Sequence, residues 1–176
     1  MFVAPVIEEA KREYANAGLD CGDGLLPPAD KGALDALSES LGMPLPRELC
    51  EVYLLHGGQV YIEPGITGLF GEHRLHTPEE VVERYRMFAE FSLLDPPPAF
   101  PPAPDEWGYW VPQLIPFASW DANDLCVHAV TGEVWEFSPN CGLFRHRPSI
   151  ASVLREVTEA VRRGQEPQLG EMRGPP

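Results

Sequence analysis

Histidine and cysteine supply the first candidates for chemistry. His73-Arg74-Leu75-His76 has a His-x-x-His spacing, Cys126-Val127-His128 a Cys-x-His spacing, and Cys141 lies five residues before His146. Imidazole nitrogens and thiolates are the usual ligands of zinc, which takes about four of them in a tetrahedron. None of these pieces completes a Cys-x-x-Cys pair or a His-Glu-x-x-His helix, so the sequence predicts no metal site and no cofactor. Cys126 is expected to pack as a small apolar residue, with His128 on the opposite face of its strand.

Nucleophilic catalysis needs a base within reach of a hydroxyl or thiol. Cys50 and His56 are six residues apart on one short helix, about 600° of rotation, so they do not share a face. Ser119 and Ser138 end strands without the glycines of a nucleophile elbow. Gly68-Leu69-Phe70-Gly71 lacks the lysine and flanking glycines that cradle phosphate. The adjacent carboxylates Glu8-Glu9 and Glu79-Glu80 are explained by first-turn helix positions, where the helix dipole favours negative charge. The sequence therefore predicts no catalytic residues, and a small hydrolase assembled from scattered His and Cys is the remote alternative.

Aromatic side chains point instead to binding. Trp107, Tyr109, Trp110, Trp120 and Trp135 fall within 29 residues. Trp110 and Trp135 are expected in the core. Trp120 stands where a strand enters the acidic turn Asp121-Ala122-Asn123-Asp124, a partly exposed position, and Trp is enriched at binding hot spots. Trp135 and Phe137 point to one face of their strand and Glu136 to the other, so one side of the sheet tolerates charge. Trp120, Asp121, Asp124, Glu133 and Glu136 on the open side of the sheet are thus the expected partner-binding residues. The plainer reading of these acids is a solvated sheet face.

The elements that must position these residues follow from periodicity and punctuation. Helices are expected over 5–16, 29–41, 46–56, 77–91 and 148–163. Gly42 is placed just past the second, and Pro46 at the first position of the third. Thr77, Pro78 and Glu80 form a capping box with a proline inside it. A strand pair is expected at 60–62 and 66–70, and a strand meander at 114–119, 125–129, 133–137 and 143–145. Asp121-Ala122-Asn123-Asp124 and Thr131-Gly132 mark its hairpins. The proline run at 95–104, within an insertion at 95–106, forbids helix and central strand and reads as a polyproline-like surface loop. The organisation is an N-terminal helix and loop extension at 1–28, one domain at 29–164, and a flexible tail at 165–176. The fold class is α+β, with an antiparallel meander packed against helices.

Bulk properties narrow the partners. The 176 residues include 13 Lys+Arg against 27 Asp+Glu, a formal net charge of −14. Such a field repels phosphate, so no nucleic acid is expected to bind directly. It serves solubility, and it also accelerates encounter with a basic protein. No basic start or apolar run marks a signal peptide, and nothing approaches the ~18 apolar residues of a membrane span. The four scattered cysteines read as reduced thiols, so a cytoplasmic location with no membrane association is expected.

Several short pieces, in order, carry a family resemblance. They are Gly42-x-x-Leu45-Pro46 leading through a helix to Gly57-Gly58; the capped helix after Leu75-His76-Thr77; Trp110-Val111-Pro112 with Ile115-Pro116-Phe117-Ala118; Asp124-Leu125-Cys126-Val127; Gly132-Glu133-Val134; and Pro148-Ser149-Ile150. Over roughly residues 30–163 the chain resembles the SUKH superfamily, the Smi1/Knr4-like domains. The resemblance implies an α+β fold and a non-enzymatic, protein-binding role. Many bacterial members are immunity proteins that neutralise toxins, often nucleases, and fungal relatives are regulatory scaffolds. It thus implies a protein partner, either a basic toxin domain or, as the alternative, the non-toxin partner of an intracellular scaffold.

Overall fold

The structure is a computed structural model that describes residues 2–19, 21–22, 24–60, 67–91, 110–139, 142–167 and 169. Its elements run α1 (Ala4–Asn16), α2 (Lys31–Leu41), α3 (Arg47–Leu55), β1 (Arg74–Leu75), α4 (Pro78–Phe91), β2 (Leu114–Trp120), β3 (Asn123–His128), β4 (Val134–Ser138), β5 (Gly142–Arg147) and α5 (Ile150–Arg162). The five strands form one antiparallel sheet in chain order. This is the expected α+β meander.

Local chemistry sets most boundaries. The Asp30 side chain accepts from the Ala33 amide at 2.8 Å and starts α2, and Gly42 ends it with φ 67°. Before α4, the Thr77 amide donates to Glu80 Oε2 at 2.8 Å and the Glu80 amide to Thr77 Oγ1 at 3.3 Å, closing the expected capping box. Ser149 and Ser152 make the equivalent exchange at α5. Pro46 differs from expectation: with ψ 143° it is the N-cap of α3, and the helix starts at Arg47. Its C-terminus also comes early, because His56 is extended at φ −144°.

The expected strand pair at 60–62 and 66–70 lies partly outside the described residues, as do the proline insertion, Trp107, Tyr109 and Cys141. Within 67–73 the chain forms isolated bridges, Gly68 to Gly71 and Phe70 to His73. The cause is the tight return of the chain: a Cβ on Gly68 would lie 2.2 Å from the His73 carbonyl oxygen. The sheet instead begins with β1, only two residues long, which pairs Arg74 with Ser119 and Leu75 with Ala118. So short an edge offers little template for another chain.

Strand alternation divides the sheet into two buried faces. Leu125, Val127 and Val134 join the larger core, built with α1, α2, α3 and α5. Cys126, Trp135, Phe137 and Leu143 join a smaller core with Phe88 of α4 and Trp110. Here Trp110 meets Phe88 and Phe137 at ring separations of 4.9 and 5.0 Å, the second edge-on, a geometry that adds to the area buried. Trp110 and Trp135 are thus in the core, as expected.

The N-terminal helix belongs to the larger core. Val6, Ile7, Ala10 and Tyr14 of α1 are buried in it, α1 packs on α5, and Arg162 of α5 pairs with Glu9 and Glu13. Among the described residues no helix is long and apolar enough to cross a membrane.

Candidate functional site

The five expected binding residues do not form one patch. The hairpin between β2 and β3 is a two-residue loop, because Trp120 pairs with Asn123. Asp121 takes φ 52° there, a conformation that Asp tolerates better than most residues. Trp120 is 46% exposed and Asp121 is exposed, so this tip offers an aromatic ring beside a carboxylate. Asn123 and Asp124, however, are part of β3. Asp124 is 0% exposed, facing α4, while alternation turns Trp120 to the other face. Glu136 is also buried, on the face of Leu125, where its charge acts on Arg147. Glu133 is half-exposed at the far end of β3, roughly 17 Å away along the strand. It accepts from Thr131 Oγ1 at 2.9 Å and lies 3.1 Å from His146 Nε2. The open sheet side expected from sequence is closed by helices on both faces, and that burial removes Asp124 and Glu136 from the surface.

The burial of Asp124 organises a second place of interest. Arg84 of α4 donates to it through Nε at 2.8 Å and Nη2 at 2.7 Å, a bidentate pair. Burial outweighs this partner and holds the Asp124 carboxyl above its ordinary pKa, while the same hydrogen bond raises that of Arg84. Across the sheet edge, Arg74 makes the matching fork to Glu80, at 3.0 and 2.8 Å, and also donates to the Gln59 carbonyl at 2.7 Å. Burial works to raise the Glu80 pKa, but Arg74 and the Thr77 amide prevail and lower it.

Between these two ion pairs lies a cavity of about 280 Å³. Its helical wall is Glu80, Glu83, Arg84 and Met87, spaced i, i+3, i+4 and i+7 and so on one face of α4. Its sheet wall is Arg74 and Ser119, opposite each other in register, with His76 behind. Ser119 Oγ is 2.7 Å from His76 Nε2. His76 is 3% exposed, and burial, helped by Arg74, lowers its pKa to about 4, so the ring is neutral at pH 7.

The other chemical candidates stay apart. His73 and His76 are both buried, yet among the described residues no group of three His, Cys, Asp or Glu could hold a metal. Cys126 is fully buried as expected. His128 is on the same face as Cys126, since residues two apart on a regular strand must be, and its Nδ1 accepts from the Thr131 amide at 3.1 Å. His56 is 3.4 Å from Lys11 and does not pair with Cys50. Sequence reasoning passed over Arg74, Glu83, Arg84 and Met87. The readable signal was an acid inside an apolar strand, Asp124 before Leu125-Cys126-Val127, which demands a cation from a neighbouring element.

Among known proteins, the family described as SMI1 / KNR4 family (SUKH-1) matches residues 28–156. No curated protein matches the chain.

Proposed function

The chain belongs to the SMI1/KNR4 family (SUKH-1), and from that membership we propose that it is a non-enzymatic immunity protein that binds and neutralises a basic toxin domain. Membership by itself implies a protein–protein interaction role in general terms. The net charge of −14 carries the finer reading, because a nuclease domain that grips phosphate is basic and an acidic inhibitor meets it with a complementary field. The exposed Trp120–Asp121 tip supports an interface at this end of the sheet: the ring supplies buried area and the carboxylate steers approach. Glu133, at the far end, belongs to the interface only if the partner spans the length of β3. The test is growth protection. Expressed with a basic nuclease toxin domain taken from a neighbouring reading frame, the protein should restore growth in proportion to its amount; toxicity that persists under excess of the protein refutes the proposal.

One observation favours the hydrolase alternative, the 2.7 Å contact between Ser119 and His76. It is the weaker reading. An imidazole with a pKa of about 4 is a poor acceptor for a hydroxyl proton at pH 7. Two guanidinium groups beside the ring also oppose the imidazolium such a reaction forms.

A further inference from the structure

The cavity between α4 and the β1–β2 edge takes no part in the exposed Trp120–Asp121 tip. Its volume, about 280 Å³, is at the bottom of the ~300–1,000 Å³ range of small-molecule sites, which suits a single side chain better than a cofactor. Its charges are uneven. The forks of Arg74 and Arg84 are each occupied by a carboxylate of this chain, Glu80 and Asp124. Glu83, exposed at the rim, makes no ion pair among the described residues. Two guanidinium groups against three carboxylates leave one negative charge, and it is on Glu83. Below Glu83, Met87 gives a soft apolar wall, the kind that adapts to an aliphatic stem. The Ser119 hydroxyl keeps an acceptor lone pair beside its bond to His76.

We infer that this cavity receives one arginine or lysine side chain of a basic partner protein, its stem along Met87 and its cationic head on Glu83 with Ser119. The inference rests on the protein-binding reading and deepens it. The cavity borders the Trp120–Asp121 tip through the peptide link from Ser119 to Trp120, but on the opposite face of the strand, so a partner engages both only by wrapping over the β2–β3 hairpin. The Met87 stem contact and the Glu83 head contact form a snorkelling geometry, in which a long basic side chain buries its methylenes and pairs its charge.

The test needs no partner. N-acetyl-arginine amide is titrated into the labelled full chain while the Met87 methyl and the Ser119 amide are followed by nuclear magnetic resonance. N-acetyl-citrulline amide, neutral and nearly isosteric, and N-acetyl-glutamate are the controls. The inference expects saturable shifts with the arginine probe alone, and about a tenfold loss of affinity in Glu83→Gln, the scale of one charge-assisted hydrogen bond. Glu83 is exposed, so this variant keeps its unfolding midpoint. Equal binding of citrulline, preferred binding of glutamate, or no saturable shift with arginine each overturns the inference. Those results leave the growth-protection test of the binding reading untouched, so the two failures are distinguishable.

Discussion

Acid destabilisation of His76 is the most specific consequence of the geometry around the cavity. The ring is 3% exposed, and burial with Arg74 lowers its pKa from 6.5 to about 4. The unfolded chain takes up the proton first, so stability is fully present above pH ~6.5 and is lost as pH falls towards the folded value. A shift of this size is worth about 3 kcal/mol by pH 4, at ~1.4 kcal/mol per unit with half-protonation of the folded ring allowed for. His56 and His128, also lowered by burial, act in the same direction. Asp124 acts in the opposite direction: its raised pKa means that the cost of burying it is relieved as pH falls. Comparison with His76→Gln cancels the titrations that do not involve His76; Glu80, whose carboxyl pKa a charged His76 also lowers, contributes together with it. Urea unfolding at pH 7 and pH 4 should show the parent losing about 3 kcal/mol more than the variant, with equal m-values. Equal losses within ~0.5 kcal/mol would refute the argument, as would a His76 imidazole titrating near its ordinary value by nuclear magnetic resonance.

Three further outcomes follow from the packing. Removing residues 1–19 strips Val6, Ile7, Ala10 and Tyr14 from the larger core, so the truncated chain should lose cooperative unfolding in calorimetry; Ile7→Ala alone should cost about 2–5 kcal/mol in urea. Arg84→Met leaves a carboxylate with 0% exposure unpaired and should cost about 3–5 kcal/mol. Asp124→Asn should cost less because Arg84 keeps 30% access to water, and Arg84→Met with Asp124→Leu should recover most of the loss. Gly71 has φ 75° and a Cβ there would lie 2.0 Å from the Pro167 carbonyl oxygen, so Gly71→Ala should lower the thermal midpoint far more than Gly132→Ala, where φ is 74° but no atom lies within 4 Å.

How much of this was legible in the sequence depended on whether a signal was local. The meander read well because Asp121-Ala122 and Thr131-Gly132 interrupt apolar runs, and the start of α4 read well because Thr77, Pro78 and Glu80 carry their own cap. β1 did not, since a two-residue strand has no period to detect and exists only through its pairing with Ser119 and Ala118. Pro46 was placed one position too far into α3, because its ring fits both the N-cap and the first turn. The site was less legible. Alternation correctly put Glu136 opposite Trp135, but whether that face meets water depends on α5 and α1, far away in the chain. Asp124 looked like a turn residue until Arg84, forty positions earlier, supplied its partner across the sheet. The cavity wall on α4 was invisible for the same reason: Glu80, Glu83, Arg84 and Met87 read as an ordinary solvated helix face without the β1–β2 edge opposite them.

If the proposed function holds, this acidic domain binds a basic protein through the Trp120 end of its sheet. The measurement is titration calorimetry with the basic toxin domain that the growth-protection test identifies, and Trp120→Ala, Asp121→Lys is the comparison. The expected result is a one-to-one complex that the double variant weakens by at least ~2 kcal/mol, about thirtyfold, while its thermal unfolding stays cooperative. No heat of binding with the parent protein, or unchanged affinity in the folded double variant, would contradict it.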